Sequence, residues 1–356
     1  MANEVRFTIR LNVDGQSKVV DATASVDELM EAIEDVRETA NTVGQSKGWE
    51  TLMLGVNAAM DVMGRVKGAV DDLAGDYESW ETAMAKVNTM AGKNAEGLAE
   101  QTGQVGELSK EIPKAREELA EGLYQTISNG VPEADWLTFL EQSAKASVGG
   151  IADLGETVKV TSTVIKNYGL EWSQAGEIQD KIQMTAKNGV TSFGELASAL
   201  PRVTANAATL GVSVDELMAT FATLTGVSGN TAEVSTQLAA IFTSLVKPSS
   251  EAAKMAEAMG IQFDAAAIKA AGGMQQFLAK LDDAVKQYAK ANGMLEQEIY
   301  GSLFGSAESL RALIPLTGEL KDKFVENVGV MGDSAGISPQ KFVFCYFFSN
   351  FALQIQ

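Results

Sequence analysis

Apolar residues recur at spacings of three and four along most of this chain, which is the period of an α-helix and not the alternation of a strand. The clearest run lies between Val190 and Ile261 and predicts three or four short helices in succession. Its apolar positions are Phe193, Leu196, Leu200, Val203, Ala207, Leu210, Leu217, Phe221, Leu224, Val234, Leu238, Ile241 and Leu245. We therefore expect a compact core made of helices.

Polar residues mark where three of these helices begin. Each start pairs a short polar side chain with a glutamate three residues later, so that both can satisfy backbone donors of the first turn. The pairs are Ser192 with Glu195, Ser213 with Glu216, and Asn230 with Glu233. Helix ends are predicted at glycines that precede an apolar residue, because glycine readily adopts the left-handed backbone. These glycines are Gly169, Gly189, Gly211, Gly226 and Gly260.

The N-terminal segment, residues 1–24, has a different pattern. Apolar and polar residues alternate over residues 5–13, which is typical of a half-buried strand. Asp14 and Gly15 favour a turn, and residues 18–22 can return as a second strand. This segment therefore predicts a β-hairpin.

Residues 25–90 predict long amphipathic helices with a coiled-coil-like seam. The apolar positions step by threes and fours with one slip between Met63 and Val66, a spacing at which helices pack side by side. We expect the chain to form a homo-oligomer through this seam. The seam consists of Val56, Met60, Met63, Val66, Val70, Leu73, Tyr77, Trp80, Met84 and Val87.

Three further segments complete the predicted organisation. Residues 91–112 are rich in Gly, Asn and Gln and predict a linker. Residues 113–330 predict a compact multi-helix core of short antiparallel helices. Residues 331–356 crowd phenylalanine and tyrosine together without helical spacing and predict an irregular, aromatic-rich tail. The expected fold class is mainly α, with the hairpin and the long helix ahead of the core.

Composition excludes several kinds of function. The formal charge is −19, which argues against a direct grip on nucleic acid because phosphate binding uses clustered Lys and Arg. The chain has no histidine, which removes Ser-His-Asp and Cys-His catalysis and the usual zinc and haem ligands. Its single cysteine, Cys345, cannot form an internal disulfide.

Sequence motifs for chemistry are missing as well. We find no phosphate-binding loop, dinucleotide fingerprint, calcium loop or CxxC pair in the sequence. Acidic pairs such as Glu117 with Glu118 fit a solvated helix face better than a glycosidase site. We therefore expect no catalytic residue, no cofactor site and no metal site, and the chain is not expected to be an enzyme.

Targeting features are also missing from the sequence. The N-terminus lacks the basic start and apolar run of a signal peptide, and no apolar stretch is long enough to span a bilayer. We expect the protein to be made in the cytoplasm, and nothing in these features indicates a membrane partner.

Several phrases of the sequence occur in the order seen in the core region of phage tail tape measure proteins. They are residues 77–87, 118–130, 210–217, 247–261 and 303–307. Each phrase alone consists of small residues and helix caps, whereas the ordered set is more specific. The chain therefore resembles this family from about Val70 to Leu320.

The resemblance implies a structural protein of the tail of a phage or prophage. Such a protein is made in the host cytoplasm, lies inside the tail tube of the virion, sets tail length during assembly and leaves during DNA ejection. The implied partners are the tail tube protein, tail assembly chaperones, and baseplate or distal tail proteins. Family members commonly continue with long helices, membrane-active segments and sometimes a wall-degrading domain, features that serve penetration of the host wall. We therefore expect a truncated form here.

Two alternatives from other functional classes stay open. A membrane-active, toxin-like helical protein would insert amphipathic helices into bilayers and cause leakage of liposomes. A peptidoglycan hydrolase would clear cell wall material and would lose that activity on a single Glu→Gln change.

Overall fold

The computed structural model describes residues 5–13, 16–24 and 79–354, and it describes side chains over residues 79–345. The chain divides into two compact units, Met1–Thr82 and Ala83–Gln356. In the first unit, strands β1 (Val5–Val13) and β2 (Gln16–Ala24) pair antiparallel, with Val13 opposite Gln16. Most of the segment predicted to form long helices, residues 25–78, lies outside the described residues.

Residues 79–354 form seventeen α-helices, so the predicted mainly helical fold is confirmed. They are α1 (described over 79–91), α2 (Ala95–Glu111), α3 (Arg116–Ser128), α4 (Trp136–Gly150), α5 (Leu154–Tyr168), α6 (Ala175–Asn188), α7 (Phe193–Ala199), α8 (Thr204–Leu210), α9 (Val214–Ser228), α10 (Thr231–Val246), α11 (Ser250–Ala258), α12 (Ala265–Ala271), α13 (Met274–Asn292), α14 (Glu296–Phe304), α15 (Ala307–Thr317), α16 (Lys321–Gly332) and α17 (Ile337–Gln354).

The helix starts follow the predicted polar caps. Ser192 with Glu195 and Ser213 with Glu216 form reciprocal capping boxes at the starts of α7 and α9. At the start of α10, the Asn230 side chain accepts a hydrogen bond from the Glu233 backbone N–H at 3.0 Å. These starts are set by contacts between residues three apart, which is why the sequence predicts them.

Three of the predicted helix ends have the expected left-handed glycine. The φ angles of Gly169, Gly211 and Gly260 are 63°, 79° and 69°. Gly189 differs, because its φ is −109° and its backbone is extended. A Cβ at this position would lie 2.5 Å from Thr225 Oγ1, so close approach to α9 is the reason for glycine there.

The end predicted at Gly226 is wrong. Helix α9 continues through this residue to Ser228 and ends at Gly229, whose φ is 61°. A glycine inside a helix costs up to about 1 kcal/mol relative to alanine, which the packing of a buried helix readily offsets. Gly229, three residues further, supplies the left-handed end instead.

The segment predicted as a linker, residues 91–112, contains helix α2 (Ala95–Glu111). Asn94 caps the helix by accepting a hydrogen bond from the Gly97 backbone N–H at 2.8 Å. Gln101 and Val105, four residues apart, are buried and give the helix a packed side. The glycines that suggest a linker are tolerated inside the helix because this packing stabilises it.

The segment predicted as an irregular tail, residues 331–356, is also largely helical. Helix α16 ends at Gly332, and α17 covers Ile337–Gln354. Apolar residues lie on more than one side of α17, so the sequence lacks the one-sided period by which a surface helix is recognised. Pro339 falls in the first turn, where its missing N–H is tolerated.

The core lies around helix α6. This helix packs against α4, α5, α7, α9, α16 and α17. The largest fully buried side chains come from the helices of this group and from α10, namely Phe139, Phe193, Phe221, Phe242 and Phe324. A search of the described helices for one long and apolar enough to cross a bilayer finds none.

Candidate functional site

Helix α6 carries polar side chains in the middle of the apolar core. Gln179, Asp180, Lys181, Gln183 and Thr185 are each at most 7% exposed. A buried polar group is costly unless it is hydrogen-bonded or paired. The partners of these side chains lie on several surrounding helices, so α6 holds those helices in register by polar contacts.

The two glutamines join α6 to α4 and α5. The Gln179 Nε2 group donates to Ser143 Oγ at 3.0 Å and to Thr161 Oγ1 at 3.4 Å. The Gln183 Nε2 group donates to the Gly149 carbonyl at 3.0 Å. These bonds fix the α4 and α5 backbones against α6.

Lys181 joins α6 to α9 through an ion pair in which the lysine is buried and its partner Asp215 is partly exposed. Its Nζ lies 2.5 Å from Asp215 Oδ1 and 3.2 Å from Glu177 Oε1. Burial lowers the pKa of Lys181, but pairing with Asp215 and Glu177 outweighs burial and leaves the pKa raised above its ordinary value. Lys181 is therefore charged at neutral pH and holds the start of α9.

Asp180 holds the start of α17. Its Oδ2 accepts a hydrogen bond from the Gly336 backbone N–H at 2.6 Å, and its Oδ1 accepts one from the Ser338 backbone N–H at 2.8 Å. The first N–H groups of a helix have no partner within the helix. Asp180 supplies that partner from a position more than 150 residues earlier in the chain.

Glu216 performs a similar role for α13 while it caps its own helix. Its Oε2 accepts from the Ser213 backbone N–H at 3.0 Å, and its Oε1 accepts from the Gln275 backbone N–H at 2.9 Å. The N-cap of α13 is Gly273, which has φ 129° and no side chain to cap the helix. A Cβ on Gly273 would lie 2.6 Å from Glu216 Oε1, so glycine is required for this contact.

A third buried carboxylate, Asp282, joins α13 to α14. The Tyr300 hydroxyl donates to Asp282 Oδ1 at 3.0 Å, and Lys286 Nζ lies 2.7 Å from Oδ2. Burial raises the pKa of Tyr300 well above its ordinary value, so this hydroxyl stays protonated and remains a donor. The pairing with Asp282 raises the pKa of Lys286.

These buried groups join neighbouring helices of the core. Gln179, Asp180, Glu216 and Asp282 bond to backbone groups or side chains of neighbouring segments, whereas Gln183 Oε1 is buried with no hydrogen-bond partner in the described residues. Over residues 79–345, no cluster of three or more carboxylate or thiol residues is placed to hold a metal ion.

An open depression of about 630 Å³ lies where α7 meets the start of α10. Its lining includes Glu195, Arg202 and Asn230. Glu195 accepts from the Ser192 backbone N–H, Arg202 donates to Thr236 Oγ1, and Asn230 caps α10. These three side chains are thus already used within the fold.

The sequence of this core matches a known protein family. The model of the family described as phage-related minor tail protein matches residues 102–305, which is more than half of the chain. The matched range contains all of α6 and the three buried carboxylates. The chain belongs to the phage-related minor tail protein family.

Two curated tape measure proteins are similar to this chain. It is 24% identical over 347 residues to the probable tape measure protein of Clostridium phage phiCD119, covering 95% of this chain and 35% of that protein. It is 22% identical over 264 residues to the tape measure protein of Pneumococcus phage Dp-1, covering 72% of this chain and 22% of that protein. The predicted resemblance is confirmed, and the chain spans about a third or less of these relatives. No solved structure matches the chain.

The seam predicted for self-association is described only at its C-terminal end. Trp80, Met84 and Val87 are buried, with exposures of 5%, 2% and 0%. The other seam positions, Val56 to Tyr77, lie outside the described residues. Self-association of this chain through the seam stays a prediction.

Sequence reasoning does not single out the buried polar residues of α6 or Asp282. One signal was available for α6: Gln179 and Gln183 are four residues apart and stand beside the apolar Ile178 and Ile182. A polar stripe next to an apolar one normally marks the solvent side of a helix. Only the positions of the surrounding helices show that both the polar and the apolar residues of α6 face the core.

Proposed function

We propose that this chain is the core segment of a tape measure protein and acts as a structural component in the assembly of a phage tail. The match to the minor tail protein family over residues 102–305 carries this proposal. On this view the chain is made in the host cytoplasm and is packaged inside the tail tube of the virion. Its partners would be copies of itself, the tail tube protein, tail assembly chaperones, and baseplate or distal tail proteins.

We further propose that the core contributes to tail-length determination by opening into longer helices. A helix rises about 1.5 Å per residue, so a ruler needs long helices rather than a compact bundle. The described helices α2 to α16 have only seven to nineteen residues. Several of their contacts are polar and can exchange for contacts with water, at a net cost of about 0.5 to 1.5 kcal/mol for a neutral hydrogen bond and about 1.5 to 3 kcal/mol for one to a charged group. This supports a compact form outside the tube that unpacks during assembly.

The acidic composition supports release of the chain during DNA ejection. With a formal charge of −19, the chain repels the phosphate backbone that shares the tube. A ruler of this kind can leave ahead of the DNA without adhering to it. A catalytic role and insertion into membranes have no specific observation in their favour.

Mass spectrometry of purified particles tests this placement. Peptides of the chain would be quantified against the tail tube protein in intact virions and in particles that have ejected their DNA. The chain is expected in intact virions and should be strongly depleted after ejection, because the tube must be cleared. A chain that is missing from intact virions, or that stays at full ratio after ejection, would overturn the proposal.

A further inference from the structure

The turn between α4 and α5 contains a strained residue. Ile151 has φ 51° and ψ 51°, and in the described part of the chain it is the one residue other than glycine with a left-handed backbone. A β-branched side chain disfavours this backbone, because its Cβ lies too close to the following carbonyl oxygen. The Ile151 side chain is 90% exposed, so its burial does not offset the strain. Other contacts must therefore hold the turn closed.

Helix α6 keeps α4 and α5 folded back on each other. The Gln179 Nε2 group of α6 donates to Ser143 Oγ on α4 and to Thr161 Oγ1 on α5, so these two residues lie at the same level of an antiparallel pair. At the turn itself, Asp153 caps α5 by accepting a hydrogen bond from the Glu156 backbone N–H at 2.9 Å. Loss of the packing against α6 would leave the strained turn with little besides this cap to keep it closed.

The sequence of these two helices carries a second pattern that continues through the turn. Mostly apolar residues alternate by fours and threes from α4 into α5, which is the heptad spacing of a coiled coil, and no proline interrupts residues 136–168. In the folded core the positions on either side of the turn are buried, whereas Ile151 is exposed. One continuous helix would place Ile151 in the same stripe as the others. The stripe consists of Leu140, Ala144, Ser147, Ile151, Leu154, Val158, Thr161, Ile165 and Tyr168.

We propose that Ile151 is a hinge at which α4 and α5 join into one continuous helix over residues 136–168. In this helix Ile151 adopts the right-handed backbone, which relieves its strain, and its side chain enters the heptad stripe. Glycine at this position would favour the turn and weaken the joined helix, whereas isoleucine has the opposite effects. The joined helix is about 50 Å long at about 1.5 Å per residue. The hinge rests on the proposed opening of the core into longer helices and names a place where that opening occurs.

Distances between two spin labels on the full chain, measured by double electron–electron resonance, test the hinge. The labels are attached through Thr138→Cys and Lys166→Cys, with Cys345→Ser to remove the native thiol. Both labelled positions are exposed, and each lies five residues further from the turn than Ser143 and Thr161. Trifluoroethanol is added in steps, because it loosens tertiary packing while it favours helices. The label sites lie on helices about 10 Å apart in the pair and should be about 42 Å apart in the joined helix.

Three variants in the labelled chain separate the role of Ile151 from a general weakening of the helix. Ile151→Gly relieves the strain of the turn, so the ratio of joined to paired chains at a given trifluoroethanol concentration should fall about tenfold. Ile151→Val keeps a β-branched residue and should behave as the wild type. Lys159→Gly changes an exposed position of α5, weakens the helix in both forms and should leave the ratio nearly unchanged.

Two outcomes would overturn the proposal. Labels that separate without a component near about 42 Å, while circular dichroism shows that the helices persist, would mean that α4 and α5 part without joining. Equal effects of Ile151→Gly and Lys159→Gly would remove the special role of Ile151. Neither measurement uses virions, so its failure is distinct from that of the proposed function: a chain missing from virions would overturn the function and leave the label distances unchanged.

Discussion

Replacing Glu216 by alanine is expected to destabilise the fold more than the loss of an ordinary capping residue. The carboxylate accepts from the backbone N–H groups of Ser213 and Gln275, so it serves the first turns of both α9 and α13. Loss of a cap costs about 1 kcal/mol, and loss of a hydrogen bond to a charged group costs about 1.5 to 3 kcal/mol. The free energy of unfolding should therefore fall by about 2.5 to 4 kcal/mol.

Glu195 provides the matched control for this change. It forms the same kind of capping box at the start of α7, but it is exposed and bonds to no backbone group of a distant helix in the described residues. Glu195→Ala should lower the free energy of unfolding by only about 1 kcal/mol. Urea unfolding followed by circular dichroism at 222 nm compares both variants with the wild type. Equal losses in the two variants would refute the role of Glu216 at α13.

Three other changes have definite expected outcomes. Gly273→Ala places a Cβ 2.6 Å from Glu216 Oε1 at φ 129° and should lower the free energy of unfolding by more than about 1 kcal/mol. Gly301→Ala is the control, because its Cβ meets open space and should not lower the stability. Equal stability of the two variants would contradict the close contact. Asp180→Ala should speed amide hydrogen exchange at the start of α17 about tenfold and leave exchange in α13 unchanged. Undiminished protection of the α17 amides would contradict the role of Asp180 as a cap. Because the pKa of Lys181 is raised in the folded state, its pairing stabilises the fold fully at a pH below the ordinary lysine pKa of about 10.4. This stabilisation is lost as the pH rises through the folded-state pKa. The stability difference between wild type and Lys181→Met should thus shrink only in strongly alkaline solution, and a difference that stays constant there would argue against the pairing.

Local features of the fold are predictable from the sequence because they depend on neighbouring residues. The capping boxes at Ser192 and Ser213 form between residues three apart, and the structure has both. The left-handed end at Gly211 likewise needs only its own helix. Such contacts do not depend on how the helices are arranged in space.

Features set by distant contacts are not predictable in this way. Glu216 is recognisable as a local cap, but its bond to Gln275 spans 59 residues and arises only once α9 and α13 are packed. The bonds of Asp180 to the start of α17 span still more of the chain. Helix α17 itself escapes prediction because apolar residues on several sides remove the one-sided period.

Tail length measured against inserted residues tests the ruler role most directly. Helical inserts of 21 and 42 residues would be placed at Gly92, between α1 and α2, where the surroundings of the backbone are open. Because a helix rises about 1.5 Å per residue, electron microscopy should show tails longer by about 30 and 60 Å. Assembled tails of unchanged length would contradict a role for this segment in length determination.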